Sequence, residues 1–171
     1  MKIIVFSDTR KNDNEPVIVT QMFQNGLDIF HLNKPRFTQD FYEEYLDAIP
    51  EEYHNRIVIH QFHGFITSYK LHGIYLHRRK GLSKDYLHRI EMWWYRRRRP
   101  EMQICCSFSK LSNMYEVKED YEYALLRPVF GSHSEGNYHS AFPESGLIEA
   151  LGKTKHCVVA FGGTNYDRIE K

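Results

Sequence analysis

The sequence lacks the features that would place it among disulfide-rich, zinc-binding or membrane-spanning proteins. It has three cysteines, an odd number, and two of them, Cys105 and Cys106, are adjacent, so we expect no disulfide framework. No Cys-x-x-Cys pair occurs, which argues against a structural zinc site. No apolar run approaches the length of a transmembrane helix. The opening run, MKIIVFSD, is too short for a signal peptide, so we expect a cytoplasmic protein without a membrane partner.

An excess of charge of one sign is also absent. The chain carries 23 Lys and Arg against 22 Asp and Glu, a net charge of +1, so bulk electrostatics predict no binding to nucleic acid. What the 171 residues do contain is typical of a soluble globular protein: 42% hydrophobic, 26% charged and a high 15% aromatic. A chain of this length is expected to form one domain over residues 1–171.

Short apolar runs recur along the chain, and helical patterns lie between them. Most runs are continuously apolar, which is typical of parallel strands covered on both faces. The predicted strands are residues 3–6, 27–32, 56–60, 73–76, 102–106, 123–126 and 157–161. The predicted helices are residues 15–25, 38–49, 64–71, 84–97, 109–119 and 143–151. Gly26 suits a C-cap, Thr38 and Ser109 suit N-caps, and Pro143 suits a first helical turn.

Strands that alternate with helices predict an α/β protein. A doubly wound sheet and a TIM-type (β/α)8 barrel both fit the pattern. No Gly-rich nucleotide loop follows the first strand, whereas polar residues follow nearly every strand, which favours the barrel because barrel chemistry lies at the carboxyl ends of the strands. No eighth strand is evident before Lys171. We therefore expect an incomplete barrel of about seven β/α units with its last strand missing, and homo-oligomers formed through the exposed edges.

Three histidines, His31, His60 and His77, each close one of three consecutive predicted strands. Together they could bind a divalent metal. No carboxylate joins them, so the preferred interpretation is neutral side chains that hydrogen-bond ligand or water, and no metal ligand is assigned.

Two segments indicate anion binding. Gly162 and Gly163 follow the seventh strand, where barrels commonly bind phosphate through backbone N–H groups, and a tight turn explains the two glycines equally well. Arg78, Arg79 and Lys80 follow the fourth strand and are placed to clamp an anion, with a solvated loop as the alternative.

The segment WWYRRRRP, residues 93–100, is both aromatic and basic, a combination found in nucleic-acid interfaces. The preferred interpretation is a helix packing face made by Ile90, Trp93 and Trp94 with Tyr95 or Arg97. Arginines at the carboxyl end of that helix would complement its macrodipole. A nucleic-acid partner is therefore not expected.

The order of these features resembles the thiamine-phosphate synthase/TenI family, the thiamine phosphate pyrophosphorylase-like TIM barrels. RPVF and GSHSE align with the family's sixth strand, Gly-Pro-Val-Phe, and the Thr-x-Thr-Lys that follows it. VVAFGGT resembles the seventh strand, which ends in Gly-Gly. The segment FHLNKP resembles the family's second-strand Gln-Leu-Arg-Glu-Lys. RIVIHQF resembles the third-strand Ile-Ile-Asn-Asp-Arg, and GIYLHRRKG resembles the fourth-strand Gly-Val-His-Leu-Gly-Gln-x-Asp. The resemblance spans the whole chain.

The resemblance implies a transferase of thiamine biosynthesis, which joins a pyrimidine diphosphate to a thiazole phosphate and releases pyrophosphate with the help of Mg²⁺. It implies that a small-molecule phosphate or diphosphate is the partner. Two histidines would lie on the pyrimidine side of the substrate site, and two serines and two glycines on its phosphate side. By this match the substrate-binding residues are His31, His60, Ser132, Ser134, Gly162 and Gly163.

The sequence departs from the family at its charged positions. The two Mg²⁺-binding aspartates fall on Gln61 and Lys80, and neither side chain can replace a carboxylate. The second-strand arginine falls on Asn33, with Lys34 as its substitute, and the loop lysine falls on Glu135.

We accordingly assign substrate binding to Asn33 and Gln61 as well. Catalytic roles are assigned to Lys34, Arg78 and Arg79, because the two arginines can supply the positive charge that Mg²⁺ supplies elsewhere. Mg²⁺ is expected as a cofactor only if the synthase activity is retained, and no other cofactor is expected.

The sequence thus predicts a thiamine-phosphate-synthase-like enzyme whose activity is retained, altered or lost. The first alternative is a non-catalytic barrel that binds a phosphate ligand. The second, less favoured alternative is a nucleic-acid accessory protein that acts through Arg96–Arg99.

Overall fold

The computed structural model describes residues 2–76, 86–116, 121–129 and 142–163, with the backbone alone at residues 86–89 and 91. The chain groups into two compact units, Met1–Gln103 and Ile104–Lys171. The single domain over residues 1–171 stays a prediction.

The first unit alternates strands and helices along most of its length. Its strands are β1 (Ile4–Phe6), β2 (Ile29–Leu32), β3 (Ile57–Ile59) and β4 (Gly73–Leu76). Its helices are α1 (Glu15–Gln24), α2 (Gln39–Asp47), α3 (Phe65–Ser68) and α4 (Tyr86–Arg98), with a 3-10 helix at Glu51–Arg56. β1 pairs with β2, β2 with β3, and β3 with β4, all in parallel. The residues of β2 and β3 are buried throughout, as expected for strands covered on both faces.

The second unit continues the same pattern. Its strands are β5 (Gln103–Phe108, from Ile104 onward), β6 (Tyr123–Leu126) and β7 (Cys157–Ala160). Its helices are α5 (Asn113–Glu116) and α6 (Glu144–Lys153). β5 pairs with β6 and β6 with β7, again in parallel. Cys106, Phe108, Met114, Ala124 and Leu126 are central to its core.

Strand order follows chain order in both units, from β1 to β4 and from β5 to β7. A doubly wound sheet reverses its strand order at a switch point, and the described strands of each unit show no reversal. Sequential parallel strands separated by helices are the TIM-barrel pattern. The predicted α/β fold of the incomplete TIM-barrel type, with about seven β/α units, is confirmed.

Local sequence signals explain where α2 begins and where α1 ends. The Thr38 hydroxyl accepts the N–H of Phe41 at 3.4 Å, so the predicted N-cap of α2 is confirmed. Gly26 follows α1 with φ of 95°, and Leu27 N–H donates to Met22 O at 2.9 Å. This is the Schellman ending that a glycine after a helix predicts.

Two predicted helix starts need correction. α5 begins at Asn113, so Ser109 is not its N-cap. Pro143 is itself the N-cap of α6 and lies one residue before the first helical turn. A Pro at that position leaves the helix intact, because its missing N–H is not needed there.

The predicted packing face of α4 is wrong for Ile90, Trp93 and Trp94, which are all exposed. Trp93 is 63% exposed and Ile90 44%, whereas Tyr95 is only 6% exposed. Just beyond the helix, Arg99 donates to the carbonyl oxygens of Ile66 and Leu71 at 2.9 and 3.3 Å. The helix is therefore anchored through Tyr95 and Arg99. Which face of a helix is buried depends on its neighbours in the fold, and these are not contained in the local spacing.

Among the residues described, no helix is both long and apolar enough to cross a membrane. The cytoplasmic location and the homo-oligomer stay predictions.

We predict that Gly73→Ala strongly destabilises the protein. A Cβ at Gly73 would lie 2.2 Å from the carbonyl oxygen of Gln103, and backbone cannot move aside cheaply. Overpacking of this kind costs about 3 kcal/mol. Gly64→Ala is the matched control, because its Cβ would meet only the Tyr95 hydroxyl at 3.9 Å. Urea unfolding followed by circular dichroism measures both variants, and equal midpoints for the two would contradict the prediction.

Candidate functional site

The carboxyl ends of β1, β2 and β3 lie side by side. Ser7 N–H, just after β1, donates to His31 O in β2 at 3.0 Å. His60 N–H, just after β3, donates to Leu32 O at 3.2 Å. Parallel pairing in chain order thus gathers the residues that follow the three strands at one edge of the sheet, where barrel enzymes place their chemistry.

Ser7 fixes the backbone at the end of β2. Its buried hydroxyl oxygen accepts the N–H of Asn33 at 2.8 Å and donates to Asn33 O at 3.2 Å. One hydroxyl group therefore satisfies both backbone groups of Asn33.

Hydrogen bonds link the ends of β2 and β3 through helix α2. Lys34 N–H donates to the Tyr42 hydroxyl at 2.8 Å, Tyr42 O–H donates to Gln61 Oε1, and Gln61 Nε2 donates to Asn33 Oδ1 at 3.2 Å. We call Lys34 N–H and the side chains of Tyr42, Gln61 and Asn33 the amide–phenol chain. Tyr42 is fully buried, and burial raises its pKa to about 12, so its hydroxyl remains a donor at neutral pH.

The Lys34 ammonium group is buried and paired with a carboxylate. Its side chain is 0% exposed, its Nζ lies 2.5 Å from Glu15 Oε2, and it donates to Arg10 O at 2.7 Å. The other carboxylate oxygen of Glu15 accepts the N–H of Asp8 at 2.8 Å. This ion pair ties the β1–α1 connection to the end of β2 and balances the Lys34 charge. The catalytic role assigned to Lys34 stays a prediction.

His31 and His60 form a pair inside the first unit. His31 Nδ1 lies 2.9 Å from His60 Nε2, and the two side chains are almost fully buried. Phe6 stacks on His31 with ring centroids 4.3 Å apart, and Tyr75 stacks on His60 at 4.0 Å. Burial lowers the pKa of His31 to about 3, so the ring is neutral at pH 7. Substrate binding by the two histidines stays a prediction.

Gly162 and Gly163 both have positive φ, 93° and 66°. A Cβ at Gly162 would lie 3.2 Å from Pro128 Cα, and Val129 N–H donates to Phe161 O at 3.0 Å. The backbone turn after β7 therefore favours glycine by itself. Phosphate binding at these glycines stays a prediction.

Several assigned residues lie outside the described part of the chain, so their roles stay predictions. They are His77, Arg78, Arg79, Lys80, Ser132, Ser134 and Glu135.

The residues at the family's Mg²⁺ positions do not fit a magnesium ion. Gln61 offers an amide oxygen where Mg²⁺ is ordinarily held by a carboxylate, and this oxygen already accepts the Tyr42 O–H. The part of the chain that the structure describes contains no group of three or more His, Cys, Asp or Glu side chains able to share a metal ion.

Sequence reasoning missed three residues that support this edge, namely Ser7, Glu15 and Tyr42. Ser7 carried a signal, since it directly follows a predicted strand. Tyr42 and Glu15 lie on helices, where a buried tyrosine indicates core packing and a glutamate in the first turn indicates a favourable dipole interaction. Neither pattern indicates a partner at a strand end.

No protein-family model matches this chain, and no curated protein matches it significantly in sequence. Among solved structures it is similar to thiamine phosphate pyrophosphorylase from Bacteroides thetaiotaomicron, at 29% identity and a TM-score of 0.71, over 98% of this chain and 75% of that chain. The resemblance to thiamine-phosphate synthases is confirmed.

A second solved structure supports only the fold of this thiamine-phosphate-synthase-like chain. It is an HpcH/HpaI aldolase from Desulfitobacterium hafniense DCB-2, with 10% identity and a TM-score of 0.60 over 99% of this chain and 81% of that chain. At this identity the likeness carries no information about activity.

We predict that Lys34→Met destabilises the synthase-like chain by about 3 kcal/mol, because Glu15 keeps a buried charge without its partner. Glu15→Gln should also destabilise, since the Lys34 ammonium is then unpaired. The double variant should cost clearly less than the sum of the two single changes. Urea denaturation of the four proteins gives this double-mutant cycle. Strictly additive effects would show that the ion pair is energetically unimportant.

We predict that stability falls on acidification partly through His31. The unfolded chain binds a proton at the ordinary pKa of 6.5, whereas the folded chain does so only at about 3. This contribution is complete above pH 6.5 and is lost as the pH falls towards 3, at about 1.4 kcal/mol per pH unit for one proton. Denaturant unfolding of the wild type and of His31→Gln between pH 7 and pH 4.5 tests it. Parallel pH profiles for the two proteins would disprove the assignment.

Proposed function

We propose that the chain is a transferase of the thiamine-phosphate synthase type, which joins a pyrimidine diphosphate to a thiazole phosphate and releases pyrophosphate. One observation carries the proposal. Polar side chains at the carboxyl ends of β2 and β3, Asn33 and Gln61, are joined in one hydrogen-bonded cluster, in a chain that aligns over 98% of its length with a thiamine phosphate pyrophosphorylase. TIM-barrel enzymes carry their chemistry at this end of the strands.

The reaction needs the departing diphosphate to be stabilised. The bond between the methylene carbon on the pyrimidine and the diphosphate oxygen breaks, and its electron pair stays on the diphosphate. The thiazole ring nitrogen supplies the electron pair of the new bond to that carbon. In our proposal Arg78 and Arg79 neutralise the charge on the diphosphate, and Asn33 and Gln61 donate hydrogen bonds to the substrate. The proposed thiazole-phosphate side consists of Ser132, Ser134, Gly162 and Gly163.

A second candidate function is non-catalytic binding of a phosphate ligand. It is favoured by one observation, the amide of Gln61 at the place of a metal-binding carboxylate, with its oxygen bonded to Tyr42. Such a protein would keep the ligand contacts of the barrel and lose turnover.

Incubation with both thiamine precursors, in EDTA and in Mg²⁺, separates the two candidates. The transferase forms thiamine phosphate in EDTA, and Arg78→Ala with Arg79→Ala lowers the rate about 100-fold, since two charges near the leaving group are lost. The matched control is Arg96→Ala with Arg97→Ala, which removes two exposed arginines of α4 and should leave the rate unchanged.

Saturable binding of the precursors without product would select the binding protein. Neither turnover nor binding would contradict both candidates.

A further inference from the structure

One backbone group sets the direction of the amide–phenol chain. A backbone N–H can only donate, so Lys34 N–H makes the Tyr42 oxygen an acceptor at 2.8 Å. The Tyr42 hydroxyl carries one proton, and its remaining partner within the described residues is Gln61. The proton is therefore donated to Gln61, and the atom that receives it is the carbonyl oxygen Oε1.

The direction continues from Gln61 to Asn33. With Oε1 on Tyr42, the Gln61 amide nitrogen is turned to Asn33 Oδ1 and donates to it at 3.2 Å. The side-chain carbonyl oxygens of Gln61 and Asn33 therefore each accept a hydrogen bond from another member of the amide–phenol chain. Three N–H bonds remain without a partner among the described residues, one on Gln61 and two on Asn33. Both residues are only half-buried, so neither is closed off from solvent.

The charges around these amides are balanced. Lys34 is paired with Glu15 at 2.5 Å, and His31 is neutral at pH 7 because burial lowers its pKa to about 3. The described part of the strand edge therefore offers neutral N–H donors, which attract the lone pairs of oxygen or nitrogen and repel a cation.

We infer that Tyr42 is a positioning residue, which holds Gln61 and Asn33 so that three of their four amide N–H bonds are left for a ligand. This corner of the site then binds hydrogen-bond acceptors without a metal and does not bind a Mg²⁺ complex. The identity of the acceptor, a diphosphate oxygen or a pyrimidine nitrogen, rests on the proposed function. The orientation of the two amides does not.

Side-chain amide NMR tests the orientation without any ligand. In the wild type, the Gln61 NH₂ hydrogen that is bonded to Asn33 should exchange with water more slowly than those of the exposed Gln39. In Tyr42→Phe the Gln61 exchange should accelerate about tenfold, since the bond that fixes its carbonyl is lost. Tyr69→Phe is the matched control, because it removes a phenol bond to Asp47 and leaves the amide–phenol chain intact. If Tyr42 only fills space, Tyr42→Phe leaves the Gln61 exchange rate unchanged. That result would overturn the inference.

The wild-type comparison decides the matter even if Tyr42→Phe does not fold. Equal exchange of Gln61 and Gln39 would contradict a fixed Gln61 amide.

Titration calorimetry then tests the ligand class, with inorganic pyrophosphate and with an aminopyrimidine alcohol that carries no phosphate as separate probes. Each is measured in EDTA and in Mg²⁺. The probe that binds should bind at least as tightly in EDTA as in Mg²⁺. Tyr42→Phe should weaken the affinity for this probe about tenfold. Gln61→Glu keeps an acceptor for Tyr42 but adds a carboxylate, so it should make pyrophosphate binding stronger in Mg²⁺ than in EDTA.

Tighter wild-type binding in Mg²⁺ overturns the metal-free ligand class. Binding of neither probe overturns the ligand assignment and counts against the proposed function, whereas accelerated amide exchange in Tyr42→Phe still confirms the positioning role.

Discussion

The hydrogen bond from Lys34 N–H to the Tyr42 hydroxyl, 2.8 Å long, determines what this strand edge can recognise. It uses the phenol oxygen as an acceptor and leaves the phenol proton for Gln61. Because Tyr42 is fully buried and its pKa is raised to about 12, the proton stays in place at neutral pH. Gln61 then turns its nitrogen towards Asn33, and the corner presents N–H groups. A tyrosine on helix α2 thereby determines how the side-chain amides of Gln61 and Asn33 are oriented.

The parallel strands make this possible by bringing distant parts of the chain to one edge. Asn33 and Gln61 are 28 residues apart, and Tyr42 reaches both strand ends because α2 lies between β2 and β3 in the chain. The buried pair of Lys34 and Glu15 adds the β1–α1 connection to the same assembly. Removing either charge leaves the other buried without its partner, so the pair matters for stability whatever its part in chemistry.

Much of the fold could be predicted from the sequence, because continuously apolar runs mark strands buried on both faces, as in β2 and β3. The 3-10 helix at Glu51–Arg56 was not predicted, since its sequence EEYHNR has no helical period. At the site, Asn33, Lys34 and Gln61 were assigned because the family resemblance places them at its charged positions, each just after a predicted strand. Their partners were not, because a contact between a helix side chain and a strand end depends on three-dimensional packing. The pairing of Lys34 with Glu15 shows the same limit, since the ion pair joins residues 19 positions apart.

The orientation of the Gln61 amide can be measured directly. Neutron diffraction from deuterated crystals grown with pyrophosphate and Mg²⁺ would locate the hydrogens themselves. We expect a deuterium from Tyr42 directed at the carbonyl oxygen of Gln61, a Gln61 N–D directed at Asn33, and no cation at Gln61. A Gln61 nitrogen facing Tyr42, or a magnesium ion bound to the Gln61 oxygen, would contradict the assignment of this corner as a metal-free donor site.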